Sequence, residues 1–217
     1  MKTSDAAPPL QNIVCLGDSL TEVRIEAEID RWPTRLQMAL EAWKPKRFKV
    51  FNRGVSGCTT ADALERIQSD VEPHLPALVL VAFGANDANV RKYRNTARVS
   101  RHEFEANLRE INLYVRCHHG KCLFIATHYP HRDPGIRTGN GKTSMENYRG
   151  HCRAILAVGK ALGIPVIDMT RFLKRRKLTA KDIVCPDGIH LSTHGNHVYA
   201  SILFDELKSL FEKGTLN

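Results

Sequence analysis

The sequence has no long hydrophobic run. The longest one, ALVLVAF at 77–83, has seven residues, whereas a membrane-spanning helix needs about 20. The opening stretch MKTSDAAPPL also lacks the apolar segment of a secretory signal. We therefore expect no membrane span, a flexible leader over residues 1–11, and a cytoplasmic location.

The sequence also lacks any C-x-x-C pair, although it contains six cysteines. Cysteines without such spacing, in a chain without a recognisable signal, are expected to be reduced thiols. Cys15 and Cys122 lie within apolar runs, where a free thiol behaves as a small hydrophobic group. The pattern gives no indication of a disulfide framework.

Acidic residues are outnumbered by basic ones, 23 to 32, so the formal net charge is +9. The basic residues are spread along the chain, and the densest cluster is RFLKRRK at 171–177. No zinc-finger spacing or RNP-like aromatic motif accompanies them, so we interpret them as a solvated surface and expect no nucleic-acid partner. The alternative is a basic module for nucleic acid or anionic membrane, whose affinity would fall steeply with added salt.

Five short apolar runs alternate with segments of helical periodicity. The predicted strands are 12–17, 48–54, 77–84, 121–128 and 164–169. The predicted helices are 31–43, 60–71, 102–118, 144–162 and 193–213. This alternation predicts an α/β domain over residues 12–217, with one doubly wound parallel sheet between helical layers. The loop at 129–142 would lie at the carboxyl edge of the sheet, where such folds bind ligands.

Polar residues and glycines follow several of these predicted strands. Ser19 follows the first strand, Gly54 ends the second, and Asn86 follows the third, while Asp187 and His190 precede the last helix. Because parallel strands end at one edge of a sheet, we expect these groups to converge. Ser, His and Asp are the residues of nucleophilic acyl transfer. The N–H groups of Ser19 and Gly54, with the Asn86 amide, could stabilise an oxyanion.

The same residues carry a family resemblance. GDSL at 17–20, Gly54 within NRGVSG, GAND at 84–87 and DGIH at 187–190 resemble, in order and spacing, the four blocks of the SGNH hydrolase superfamily, or GDSL esterases. The surrounding residues are most similar to the isoamyl acetate-hydrolysing branch. The resemblance implies a three-layer α/β/α, flavodoxin-like sandwich with about five parallel strands.

The resemblance also implies a role for each of these residues. Ser19 would be the nucleophile, His190 the base and Asp187 its orienting carboxylate. Ser19, Gly54 and Asn86 would form the oxyanion hole. A small ester would be the substrate, and no organic cofactor or metal would be required.

Some of these residues have simpler structural interpretations. Ser19 alone could be a helix N-cap, and Gly54 and Gly57 could serve only to allow positive φ. We expect Asp18 to hydrogen-bond within its loop and Asp87 to be structural. We expect Asp168 to cap the helix that follows it.

A zinc site is the alternative enzyme hypothesis. His190, His194 and His197 have spacings suited to metal binding, and Asp187 could be a fourth ligand. This hypothesis leaves Ser19 and Asn86 without a role. CHHGKC at 117–122 also resembles a ligand group, but we interpret it as a helix end, a glycine C-cap and a strand start.

The sequence therefore predicts a serine esterase that hydrolyses small acetyl or short-acyl esters through an acyl-enzyme. Lysophospholipase or thioesterase activity, and deacetylation of carbohydrates, are alternatives on the same fold. The last predicted helix carries an apolar stripe that includes Leu203, Leu207 and Phe211. The stripe would pack on the sheet, or part of it would pair with a second copy in a homodimer.

Overall fold

The computed structural model describes residues 11–24, 26–91, 93–129 and 137–216. Five parallel strands form one sheet in the order β2-β1-β3-β4-β5. They are β1 (Gln11–Gly17), β2 (Phe48–Gly54), β3 (Ala77–Ala82), β4 (Lys121–Ala126) and β5 (Val166–Asp168). This is the flavodoxin-like strand order. The predicted α/β class and parallel sheet are confirmed.

Nine α-helices cover the two faces of the sheet within the described residues. They are α1 (Ser19–Glu22), α2 (Trp32–Trp43), α3 (Thr60–Glu65), α4 (Ile67–Asp70), α5 (Arg101–Cys117), α6 (Ser144–Leu162), α7 (Met169–Arg175), α8 (Ala180–Ile183) and α9 (Thr193–Glu212).

Alternate residues of each strand face opposite layers, which creates two hydrophobic cores. Ile13 and Cys15 of β1 face a core shared with α2, α7, α8 and α9. Val14 and Leu16 of the same strand face a second core, shared with α3, α4, α5 and α6. A strand buried on both faces reads as a continuous apolar run, which is why β1 and β3 were visible in the sequence.

Strand register brings the ends of the first three strands together. Gly17 pairs with Gly54 on one side and with Ala82 on the other. The N–H of Val55 then donates to the Gly17 carbonyl at 3.0 Å. The segments that leave β1, β2 and β3 therefore start from one level of the sheet edge.

Some predicted boundaries differ from the structure. The helix predicted over 60–71 is divided into α3 and α4, because Arg66 leaves helical geometry at φ −109° and ψ 4°. Helix α7 begins at Met169 and overlaps the basic cluster 171–177. A helix was expected after Asp168, but its bounds were not predicted. Of the expected leader 1–11, only Gln11 is described, and it begins β1. The expected single domain stays a prediction.

The loop and stripe predictions have different outcomes. Residues 130–136 of the predicted 129–142 loop lie outside the described residues. The apolar stripe of α9 packs into the first core, where Leu203, Leu207 and Phe211 are buried. The homodimer stays a prediction, and this stripe no longer supports it.

Candidate active site

Ser19 is the first residue of the short helix α1, directly after β1. The N-cap of that helix is Asp18, whose Oδ1 accepts the N–H of Leu20 at 2.9 Å. The Ser19 side chain instead lies with its Oγ 3.0 Å from Nε2 of His190. The N-cap interpretation of Ser19 is therefore wrong, and the prediction that Asp18 bonds its own loop is confirmed.

His190 is held by Asp187 on the side away from Ser19. Its Nδ1 is 2.6 Å from Oδ2 of Asp187. The other oxygen, Oδ1, accepts the N–H groups of Ile189 at 2.8 Å and His190 at 3.0 Å. One tight turn thus orients both side chains, and a carboxylate on Nδ1 favours the tautomer whose Nε2 can take a proton from serine.

The electrostatics of Asp187 suit this arrangement. Partial burial alone would raise its pKa, but the N–H of Ile189 and the ring and N–H of His190 outweigh burial and hold the pKa below its usual range. Asp187 therefore stays ionised when the neighbouring imidazole becomes charged.

Asn86 follows β3 and reaches the same edge of the sheet. Its Nδ2 donates to Oδ2 of Asp18 at 3.2 Å. A primary amide carries two N–H donors, so one fixes the orientation and the other remains for a further acceptor. Burial, with a smaller contribution from the charge of Asp87, raises the pKa of Asp18 to about 7. Asp18 thus links the Ser19 turn to the predicted oxyanion donor.

Gly54 is required by a close approach rather than by positive φ. A Cβ built on Gly54 would lie 2.1 Å from the backbone nitrogen of Glu22 in α1. Its φ is not positive, in contrast to Gly57 at φ 78°. The Gly54 N–H donates to Oδ1 of Asn52 at 2.9 Å. This predicted oxyanion donor is therefore engaged, and it becomes available only if Asn52 shares or releases it.

Asp87 and Asp168, which follow or end predicted strands, make structural hydrogen bonds, as predicted. Asp87 is fully buried, and its Oδ1 accepts the N–H of Thr60 at 2.8 Å and the Thr60 hydroxyl at 2.6 Å. Asp168 caps α7 by accepting the N–H of Arg171 at 3.1 Å.

His128 supports the His190 turn and was missed as a functional residue. Its ring is buried after β4, and Nε2 lies 3.0 Å from the Ile189 carbonyl oxygen. Its Nδ1 bonds the hydroxyl of Tyr199, which also accepts the His128 N–H at 3.0 Å. Burial lowers the pKa of His128 to about 4, so it is neutral at pH 7. A neutral ring can donate from Nε2 and accept at Nδ1 at once.

A small cavity of about 50 Å³ opens beside Ser19 and His190. Its other lining residues are Leu20, Val23, Arg24, Ser56 and Leu191. On its rim, Glu22 accepts the N–H of Ser56 at 2.8 Å and a guanidinium N–H of Arg24 at 2.6 Å. The serine hydroxyl thus faces a narrow, partly apolar space.

The zinc hypothesis finds no support in the geometry. The described residues contain no group of three or more His, Cys, Asp or Glu side chains that could hold a metal ion. His197 faces Asp30 at 3.4 Å, while His190 is occupied by Ser19 and Asp187.

CHHGKC forms a helix end and a strand start, as predicted. The residue with positive φ is His119, at 60°, and not Gly120. Gly120 is required by space instead, because a Cβ there would lie 2.8 Å from Leu75 and Val115. The expected glycine C-cap is therefore wrong.

Comparison with known proteins decides the family. The model of the GDSL-like lipase/acylhydrolase family matches residues 15–198, which is most of the chain. The chain belongs to the GDSL-like lipase/acylhydrolase family. As the four sequence blocks suggested, it is a carboxylic ester hydrolase.

Several similar proteins match most of this chain. The isoamyl acetate-hydrolyzing esterase 1 homolog of Bos taurus is 27% identical, covering 93% of this chain and 81% of its own. An uncharacterized lipoprotein of Bacillus subtilis, YqeF, is 26% identical, over 87% of this chain and 86% of its own. The crystal structure of a lipase/acylhydrolase from Enterococcus faecalis superimposes with a TM-score of 0.74 at 25% identity, covering 92% and 96%.

Within the described part of this GDSL hydrolase, no helix combines the length and apolar character needed to cross a bilayer. The expected cytoplasmic location stays a prediction, since one similar protein is described as a lipoprotein.

Proposed function

We propose that this GDSL hydrolase cleaves small acetyl or short-acyl esters through a covalent acyl-enzyme on Ser19. The observation that carries the proposal is the continuous chain Ser19 Oγ, His190 and Asp187, with contacts of 3.0 and 2.6 Å. Both distances lie within the range expected of a nucleophile, its base and the group that orients the base.

Acylation follows from this geometry. Nε2 of His190 takes the hydroxyl proton as Ser19 Oγ forms a bond to the ester carbonyl carbon. The tetrahedral intermediate then breaks its bond to the alcohol oxygen, which leaves with the proton from His190. Asp187 stays ionised and stabilises the imidazolium while it exists.

Deacylation repeats these steps with water in place of the alcohol. His190 takes a proton from water as the water oxygen attacks the acyl carbon. The bond to Ser19 Oγ breaks, the proton returns to serine, and a carboxylic acid is released. Each turnover consumes one ester and one water, so the enzyme is regenerated without a cofactor.

The developing oxyanion needs donors that are already oriented. The Ser19 N–H lies in the first turn of α1, where N–H groups have no partner within the helix. The second N–H of the Asn86 amide is directed by Asp18. The Ser19 N–H and the Asn86 amide would be the primary donors. The Gly54 N–H would contribute when its hydrogen bond to Asn52 breaks.

The cavity supports a short acyl group. At about 50 Å³ it is far smaller than a pocket for a drug-sized ligand. Leu20, Val23 and Leu191 supply apolar walls for a few methyl or methylene groups. We expect kcat/KM to be highest for acetyl to butyryl esters and to fall for octanoyl and longer chains.

The deciding experiment labels the enzyme with a fluorophosphonate and measures the intact mass, with and without a chelator. We expect a single adduct, insensitive to the chelator, that Ser19→Ala abolishes. Ser56 lines the same cavity, but its hydroxyl bonds Glu22 rather than a histidine, so Ser56→Ala should keep the adduct. An adduct that survives Ser19→Ala, or none on the folded parent, would refute the proposed mechanism.

A further inference from the structure

The loop between β3 and α5 carries a second feature beyond Asn86. Its base is fixed by backbone hydrogen bonds, from Ala88 N–H to the Gly84 carbonyl at 2.9 Å and from Val99 N–H to the Asp87 carbonyl at 3.1 Å. A third bond joins Arg98 N–H to the Asn89 carbonyl at 2.9 Å. These backbone hydrogen bonds join the two ends of the loop, so residues 89–98 form a loop closed at its base.

Three arginines of this loop line one cavity of about 310 Å³. They are Arg91, Arg94 and Arg98, and the remaining walls come from Asn89, Thr96 and Ala97. The lining contains three guanidinium groups, an amide and a hydroxyl, and none of these six residues is acidic.

Of these three guanidinium groups, only that of Arg98 lies within 4 Å of a carboxylate oxygen of a described residue. Arg98 lies 3.6 Å from Asp62 and donates to the Gly57 carbonyl at 2.8 Å. Arg91 bonds the neutral hydroxyl of Tyr93 at 3.2 Å. Among the described residues, neither Arg91 nor Arg94 forms an ion pair. Positively charged groups around one cavity repel each other, and a bound anion offsets this repulsion.

We propose that this cavity, the arginine pocket, binds a phosphate group. The planar guanidinium donates paired hydrogen bonds to the oxygens of a phosphate. Several guanidinium groups around one anion therefore contribute more binding free energy than a single exposed ion pair. The Asn89 amide and the Thr96 hydroxyl add uncharged donors. Binding of phosphate in this pocket would be a separate property from ester cleavage, because it does not require the Ser19 hydroxyl.

The position of the arginine pocket relates it to the ester site. The backbone N–H of Asn89 donates to the carbonyl oxygen of Asn86 at 3.2 Å. Arg98 is bonded to Gly57, next to Ser56 in the wall of the Ser19 cavity. The arginine pocket is thus joined by hydrogen bonds to the segments that carry Asn86 and Ser56, and the phosphate would be carried either by the ester substrate or by a separate small molecule.

Calorimetric titration with inorganic phosphate, at ionic strength held constant with chloride, tests the binding site directly. The parent and Ser19→Ala should bind alike, and Arg91→Gln with Arg94→Gln should bind at least about tenfold more weakly. Arg109→Gln with Arg171→Gln removes the same charge from exposed positions elsewhere and should leave binding unchanged. Absence of binding to the parent, or equal weakening by both double variants, would overturn the proposal.

A second arm separates the two sources of the phosphate. The KM for an acetyl ester of glycerol phosphate is compared with that for the same ester of glycerol. A lower KM for the phosphorylated ester, with the ratio moving to one in Arg91→Gln with Arg94→Gln, assigns the phosphate to the substrate. Equal KM values, with phosphate still bound by the parent, assign it to a separate ligand. Because the titration needs no turnover, loss of esterase activity and loss of the phosphate site are distinguishable.

Discussion

At the scale of single residues, Asn86 shows how a buried carboxylate can aim an uncharged donor. Asp18 accepts one N–H of the amide at 3.2 Å, which leaves the other N–H for a further acceptor. Removing the amide should therefore affect the transition state more than substrate binding, because the negative charge on oxygen develops only during reaction.

We predict that Asn86→Ala lowers kcat by roughly 10²–10³-fold with little change in KM. The measurement is steady-state hydrolysis of a short-chain aryl ester. Asn95→Ala, at an exposed position of the following loop, is the control and should match the parent. A kcat for Asn86→Ala within threefold of the parent would show that the amide does not stabilise the oxyanion.

His128 contacts the turn that carries His190, and we expect it to affect the reaction through that turn. It donates to the Ile189 carbonyl, one residue before the base, and is itself held by Tyr199. His128→Phe would remove the ring's bonds to the Ile189 carbonyl and to the Tyr199 hydroxyl, which would keep only the backbone N–H of residue 128 as a partner. Leaving a buried polar group unsatisfied costs about 1–3 kcal/mol. Because the residue does not line the Ser19 cavity, the turn is affected rather than the substrate.

We predict that His128→Phe lowers kcat, and the rate of fluorophosphonate labelling, by about tenfold or more while KM stays near that of the parent. His128→Gln retains an N–H donor and should recover part of both rates. If both variants lose thermal stability equally yet neither changes the labelling rate, His128 is structural and does not position His190.

The sequence carried a signal for Ser19, Asn86, Asp187 and His190 because each belongs to a short block at a predicted strand end or turn. His128 gave no such signal. Its partners are 61 and 71 residues away, and the single histidine in an apolar strand could not indicate them. The bond from Gly54 to Asn52 was equally hidden, since it depends on a rotamer rather than on spacing.

At the scale of elements, strands were predictable where both faces are buried, and helices where an apolar stripe is long. The break between α3 and α4 at Arg66 was not predictable, because it depends on one pair of backbone angles within a continuous helical sequence pattern. A helix was expected after Asp168, but the basic residues of α7 obscured how far it extends. Lys174 and Arg175 lie in its last turn, where cations interact favourably with the helix dipole.

Helix α6 offers a matched pair of glycines with opposite surroundings. A Cβ on Gly150 would meet nothing within 4 Å, whereas one on Gly159 would lie 2.1 Å from Cγ2 of Val166 in β5. Gly150 therefore only lowers helix propensity, while Gly159 allows α6 to approach the sheet.

We predict that Gly150→Ala stabilises the fold by about 0.5–1 kcal/mol, while Gly159→Ala destabilises it by about 1–3 kcal/mol through overpacking. Urea unfolding of both variants measures the free energies. Equal effects of the two substitutions would contradict the role assigned to Gly159.

At the scale of the whole molecule, buried ionisable groups impose opposing pH dependences. Burial lowers the pKa of His128 to about 4, so between that pH and its unfolded value near 6.5 the unfolded chain binds the extra proton. The stability that neutral His128 allows is complete above about pH 6.5 and is lost as the pH falls towards 4.

The carboxylates act in the other direction. Burial raises the pKa of Asp18 to about 7 and also raises the pKa of Asp87. As the pH rises from about 4, the unfolded chain releases these protons before the folded protein does. The two carboxyl groups therefore favour folding at low pH, and their contribution declines as the pH rises from about 4. For Asp18 the decline extends to about pH 7.

We predict that Asp87→Asn reduces the loss of stability as the pH rises from about 4 to 8, because burial raises the pKa of Asp87. The asparagine keeps an oxygen that can accept from Thr60, as Oδ1 of Asp87 does, but it carries no charge that must be desolvated. The free energy of urea unfolding is measured for parent and variant at both pH values, and the decrease from pH 4 to pH 8 should be smaller in the variant. Asp205→Asn, at an exposed residue paired with Arg176, should leave that difference unchanged. If the parent and Asp87→Asn had the same pH dependence, the pKa of Asp87 would not be raised in the folded protein.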